Sequence, residues 1–159
     1  MEIANEIGKA VKSALLNQGD TAGVEVLFSD TVTSMDGYDG VILGSAVYMG
    51  HWLDSMRKFA DAHADALRAL PVWLFSTGPV EGKPDTADAG VDGDQLAVTL
   101  CAREHRMFGG KIDKSGLHFG ERAAVTLLRV TDGDYRDWTS IRDWAKEISV
   151  SLHGTHSGV

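Results

Sequence analysis

Two nearly unbroken apolar runs, GVILGSA (40–46) and PVWLFSTG (71–78), constrain this chain most. A strand with one wet face alternates apolar and polar residues, whereas a continuous run of this length needs cover on both faces. Between the runs, from His51 to Leu70, the period becomes helical, with Trp52, Met56, Phe59, Ala60, His63 and Leu67 on one stripe. The same period opens the chain over 2–17, where Ile3, Ile7, Val11 and Leu15 align. It returns over about 139–152, with Ile141, Trp144, Ala145, Ile148 and Leu152 on the inner side.

The remaining segments read less sharply. VEVLF (24–28) is short and β-branched, as expected of a strand, and 94–104 carries a weaker helical pattern. MFGGKI (107–112) reads as a strand broken by glycines, and 120–130 as an amphipathic helix. Residues 79–93, with their prolines, small residues and aspartates, read as loop, and 153–159 as a disordered tail. Helices alternating with strands in this order imply right-handed crossovers. The expected fold is a single α/β domain over 1–152, a doubly wound parallel sheet in three layers.

Composition narrows the functional classes. The apolar fraction of 43% and the charged fraction of 24% are those of an ordinary globular chain. The formal charge of −8 argues against a nucleic-acid footprint, which needs a basic face. No apolar run reaches the roughly 18 residues that span a bilayer. With the single cysteine, Cys101, no internal disulfide forms, and the expected setting is cytoplasmic and reducing.

In open α/β sheets, ligands bind beyond the carboxyl ends of the strands. Two strands here run into unusual loops. GSAVYMGHW (44–52) sets small residues before Tyr48, Met49 and Trp52. FSTGPVEGKP (75–84) sets the Ser76 and Thr77 hydroxyls before a Gly78-Pro79 turn. Backbone donors, a few hydroxyls and aromatic surface suit a planar ring with polar edges. The competing reading makes Trp52 and Met56 the start of a core helix.

Four segments together resemble one known family: EIANEI (2–7), YDGVILGSAVYMGHW (38–52), PVWLFSTGPVEGKP (71–84), and FGGKID (108–113) with GDYRDWTSIRDWAKEI (133–148). The chain resembles flavodoxin-like proteins, and among them the branch related to the quinone-dependent protoporphyrinogen IX dehydrogenases. The resemblance implies the flavodoxin-like fold, an FMN cofactor and an oxidoreductase of heme biosynthesis. It places the flavin ring between Ser45, Ala46, Val47, Tyr48, Met49, Gly50 and Trp52 on one side and Ser76, Thr77, Gly78, Pro79 and Val80 on the other. No side chain is expected to react, because the flavin carries the redox chemistry.

The family pattern also has a strand and a Ser/Thr/Gly-rich phosphate loop before its first helix. Met1 falls where that loop hands over, so both are expected to be absent from this sequence, leaving VEVLF and GVILGSA with unpaired edges or in direct contact: the sequence starts late in a longer protein, or a rearranged sheet or another chain closes the gap, or the chain keeps the fold without flavin. The expected partners are a small-molecule substrate or a quinone, with a redox protein as a further candidate. Segment 114–130 offers Leu117, Phe119, Ala123, Leu127 and Val130 beside Lys111, Lys114, Arg122 and Arg129. It reads as a peripheral membrane contact, or as an ordinary helix packed on the sheet. A soluble electron-transfer module and a flavin-free form of the fold stand as the alternatives.

Other signals are weak. Cys101 lacks a His or Asp at catalytic spacing and is expected in the core. The histidines at 51, 63, 105, 118, 153 and 156 have no metal-ligand spacing, and His51 is a candidate wall of the ring site. The Asp132, Asp134, Asp137 run nears a calcium loop, but Arg136 stands in a ligand position, so Asp137 reads as a helix N-cap. GYDGVILG has neither a phosphate-loop Lys-Ser/Thr nor the order GxGxxG.

Overall fold

The computed structural model describes residues 1–159 except 22, 49, 79–90, 113–132 and 157–159. The two apolar runs become β1 (Val41–Tyr48) and β3 (Val72–Gly78), paired in parallel from Val41↔Val72 to Ala46↔Thr77. β4 (Glu104–Gly109) lies parallel on the far side of β3, from Trp73↔Glu104 to Gly78↔Gly109. A two-residue strand, β2 (His51–Trp52), folds back antiparallel on the end of β1, giving the order β2-β1-β3-β4. β5 (Lys111–Ile112) and β6 (Gly133–Asp134) form a separate antiparallel pair.

Burial on both faces explains the apolar runs. Along β3, Trp73 and Phe75 point to one face and Val72 and Leu74 to the other, and all four are buried. The first face is covered by α1 (Glu2–Asn17) and α5 (Trp138–His156), through Ile3, Ile7, Val11, Ile141, Trp144 and Ile148. The second is covered by α2 (Asp54–Ala62), α3 (Ala64–Arg68) and α4 (Val91–Thr99), where Ala60, Leu67 and Leu100 are buried with Leu43. This is the expected three-layer α/β architecture.

Aromatic packing fixes the first face. The Phe75 and Phe108 rings meet the edge of Trp144 at 6.2 and 5.5 Å, within the range preferred by edge-to-face pairs. The Phe75 ring lies across its ladder partner, Gly44. A Cβ at Gly44 would fall 1.9 Å from Cζ of that ring. Asp137 caps α5 as expected, accepting hydrogen bonds from the Thr139 and Ser140 amides at 3.0 Å.

Several local expectations are corrected. VEVLF (24–28) forms no strand. It passes against α1 at Gly8, where a Cβ would meet Val26 at 2.5 Å, and it takes part in no ladder among the described residues. The stretch 51–70 is not one helix: β2 takes His51–Trp52, and α2 and α3 are separated at His63. The helix expected over 94–104 is α4, shifted to 91–99. The Ala102 amide bonds back to the Ala97 carbonyl around Cys101, whose φ of 53° is left-handed. Cys101 is therefore exposed at a helix end and not in the core.

The strand expected over 107–112 starts at Glu104 and breaks at Gly110, after which Lys111–Ile112 joins a different ladder. The expected tail from His153 continues α5 to His156. The amphipathic segment 120–130 and the proposed contact segment 114–130 lie outside the described residues.

Gly44→Ala is expected to lower stability in urea unfolding by about 1–3 kcal/mol through overpacking against Phe75. In the double variant with Phe75→Leu, the two losses are expected to sum to clearly more than the measured total, because removing the ring removes the clash.

Candidate functional site

Parallel register brings together the ends of β1 and β3, which lead into the two candidate loops. Ser45 stands opposite Ser76 and Ala46 opposite Thr77, so both strands deliver their carboxyl ends to the same edge. Beyond Tyr48 the chain reverses around Gly50, at a φ of 81° that favours glycine, and returns as β2 with Val47 opposite Trp52.

The sequence-proposed residues then divide by direction. Ser45, Trp52 and Ser76 point into the protein. The Ser45 hydroxyl accepts the Leu53 amide at 3.1 Å and donates to the Ala46 carbonyl at 2.9 Å. Trp52 is 2% exposed, and its indole N–H donates to Ser76 Oγ at 2.7 Å. Ala46 and Tyr48 are exposed at the strand ends, Tyr48 to 47%, with Val47, Gly50, Thr77 and Gly78 partly covered beside them. Met49, Pro79 and Val80 lie outside the described residues.

A polar network behind the loops was not legible in the sequence. An indole N–H can only donate, so Ser76 accepts from Trp52 and keeps its own proton for His105 Nε2, 2.8 Å away. His105 then carries its proton on Nδ1 and donates it to Asp94 at 2.8 Å. This has the order of a Ser-His-Asp triad, but Ser76 is 0% exposed. Gly93 roofs the network, since a Cβ there would lie 2.3 Å from the His105 ring. No substrate carbonyl reaches the hydroxyl, and the network acts as a clamp tying α4 to β2, β3 and β4.

Asp92 adds a second tie. It accepts the Trp52 amide at 3.0 Å and His51 Nδ1 at 3.1 Å, and Arg57 lies 3.5 Å away. Burial pushes its carboxyl up, but the bonds from His51 and Trp52 and the positive charge of His51 and Arg57 outweigh that and hold it below the usual range. His51 thus serves to anchor the loop. Among the described residues, no His/Cys/Asp/Glu group could hold a metal.

A cavity of about 1120 Å³ opens beside this edge. It runs between α1 and β1 and reaches Ala46, Thr77, Gly110, Lys111 and Arg136 at its mouth. Arg136 lies 4.5 Å over the Trp138 ring, bonds Asp134 at 2.5 and 2.6 Å, and also reaches Glu2. The Arg136 bonds hold the Asp134 carboxyl down at about 2. The start of α1 has no side-chain cap, and its first internal bond runs from the Asn5 amide to the Met1 carbonyl. The preceding amides are therefore open donors at the positive end of the helix dipole. The cavity thus brings Ala46 and Thr77 together with Lys111, Arg136 and the start of α1, and Tyr48 and Gly78 end the same two strands beside it. Arg136 is already paired with Asp134 and Glu2, so Lys111 and the α1 amides are the groups left to attract an anion there. These residues fit a planar ring carrying an anionic tail.

Ser76→Ala is expected to cost about 1–3 kcal/mol in chemical unfolding, because it strands the buried indole donor of Trp52. Acid unfolding provides a separate check. The Asp134 carboxyl is depressed in the folded chain to about 2 against an ordinary value of about 3.9. Its stabilisation is therefore complete above pH ~4 and lost as pH falls toward ~2. Asp134→Asn should flatten the stability profile in that window and leave its slope near neutrality unchanged.

Comparison with known proteins bears on the family and the fold. Residues 1–139 match a family model described as a flavodoxin domain. Protoporphyrinogen IX dehydrogenase [quinone] of Escherichia coli K12 is 22% identical over 157 residues, covering 91% of this chain and 87% of that protein. A mutant flavodoxin from Pseudomonas aeruginosa superposes with a TM-score of 0.50 at 16% identity, covering 94% of this chain and 91% of that one. That likeness shows the fold alone. A stretch of mouse microtubule-actin cross-linking factor 1 is 26% identical over 145 residues, which is 90% of this chain and 4% of that protein.

Proposed function

The chain belongs to the flavodoxin domain family, and from that premise we propose that it is an FMN-dependent oxidoreductase that oxidises a protoporphyrinogen-type substrate and passes the electrons to a quinone. The observation that carries this reading is the juxtaposition of Ala46–Tyr48 with Thr77–Gly78 at the carboxyl ends of two adjacent parallel strands. The distant relationship to a quinone-linked protoporphyrinogen dehydrogenase supports the substrate class.

Bound FMN supplies the hydride and electron chemistry. The protein's own part is positional. Tyr48 offers a stacking face, and Ala46 and Gly78 let backbone amides and carbonyls approach the polar edge of the ring. Thr77 adds a hydroxyl, and the α1 amides with Lys111 receive the phosphate. The clamp of Trp52, Ser76 and His105 holds β2 and the end of β1 against β3, so the spacing of the two strand ends is set before any ligand enters. A net charge of −8 disfavours added negative charge at the ring and so lowers its potential. Segment 114–130 is the proposed contact with a membrane surface, where a quinone would be met. Among the described residues, no helix is long and apolar enough to cross a membrane.

The acidic surface also supports a second reading, a flavodoxin-type carrier that docks on a basic redox partner. Titration of the purified chain with FMN, followed by quenching of flavin fluorescence, tests the shared part. Saturable binding is expected, and Tyr48→Ala should weaken it about tenfold. Turnover of protoporphyrinogen IX with a quinone then separates the readings. Turnover supports the enzyme, flavin binding without turnover supports the carrier, and absence of binding overturns both.

A further inference from the structure

A groove of about 500 Å³ runs along the contact between α1 and α5 and shares no lining residue with the flavin cavity. The two helices point the same way. Arg142 meets Glu6 at 2.9 Å near their amino ends, and His153 meets Asp20 at 3.8 Å beyond the end of α1. The α1 wall is built of small residues, Ala10, Ser13 and Ala14. The α5 wall presents Arg142, Lys146 and Val150 at successive turns, with Val150 64% exposed.

Charge on the groove runs against the charge of the chain. The whole sequence carries −8, yet Lys9, Arg142 and Lys146 line the groove against a single carboxylate, Glu6. Among the described residues, Lys9 meets no carboxylate. Arg142 gives one N–H to Glu6 and Lys146 one to Asp143, and their side chains stay 45% and 62% exposed. A guanidinium has five donors and an ammonium three, so both keep donors for a further carboxylate. At the carboxyl end of the groove, Gln18 Oε1 is buried and, among the described residues, has no hydrogen-bond partner. A buried acceptor in that state calls for a donor.

We propose that this groove is a docking site for an acidic amphipathic helix of a partner protein, laid along α1 and α5 as a third helix of their layer. Small residues at 10, 13 and 14 let a helix axis approach to about 8 Å. From Glu6 to Gln18, α1 rises about 18 Å, which matches a partner helix of about 12 residues. Carboxylates in its first half reach Lys9, Arg142 and Lys146, where they also favour the helix's own amino end. An amide or ammonium in its last turn supplies the donor that Gln18 lacks, and its apolar stripe covers Val150. An anionic membrane surface would meet the cations and leave Gln18 as it is. The site stands apart from the flavin reading, since no residue serves both.

The test uses the full chain and a fluorescent, hydrocarbon-stapled helical peptide of about 14 residues. Alanine and leucine form one face, a pair of glutamates flanks that face in the first half, and an asparagine stands in the last turn. Fluorescence anisotropy should show saturable binding, with NMR shift changes at Ala10, Ala14, Lys146 and Val150. Lys146→Glu should weaken binding at least about fivefold, whereas Lys58→Glu, the same charge change on α2, should leave it within about twofold. A mid-peptide proline, which breaks the helix, should weaken it at least about tenfold. Three results would each overturn the proposal: no saturable binding, equal binding of the proline peptide, or equal effects of Lys146→Glu and Lys58→Glu. So would binding of phosphatidylserine–phosphatidylcholine vesicles that displaces the peptide and is lost in Lys146→Glu, since a membrane would then be the occupant.

Discussion

The Phe75 ring lying across Gly44 is the contact on which the rest of the structure depends. It holds β1 close against β3, and through Trp144 and Phe108 it ties the same strands to α5 and β4. A side chain at position 44 would push the ring out of this packing and disturb the sheet and the helix layer together. The register it protects, Gly44↔Phe75, also places Ala46 beside Thr77. Core packing and the assembly of the site are therefore one problem here.

The parts of the fold that were legible in the sequence are those whose burial is simplest. GVILGSA and PVWLFSTG are buried on both faces and reveal themselves as unbroken apolar runs, and the helices over both faces show the helical period. VEVLF looked equally strand-like, but a β-branched run becomes a strand only with a paired neighbour, and 24–28 instead lines the cavity that Val41–Ala46 also lines. The boundary between α4 and β4 was misplaced because a non-glycine residue, Cys101, adopts the left-handed turn that glycine usually signals.

The site was legible in part for the same reason. Small residues and a Gly-Pro step marked both loops, and register then brought them together. Nothing in the local pattern distinguished the inward residues Ser45, Trp52 and Ser76 from the outward Ala46 and Tyr48. Ser45 is turned inward by the Leu53 amide, while Trp52 and Ser76 are held by Asp92 and His105, which are distant in sequence and meet them only through pairing of β3 with β4 and docking of α4. Arg136 was noticed as a misfit in an acidic run, whereas its place is at the mouth of the cavity, between Asp134 and the start of α1.

The central claim is that the ends of β1 and β3 together form a flavin-binding edge. Mapping backbone amide shifts by NMR while FMN is titrated into the full chain tests it most directly. The account predicts the largest changes at Ala46, Val47, Tyr48, Thr77 and Gly78, with a second group at Glu2, Ile3 and Lys111 that riboflavin, which lacks the phosphate, does not reproduce. Changes confined to other surfaces, or to only one of the two strand ends, would contradict it.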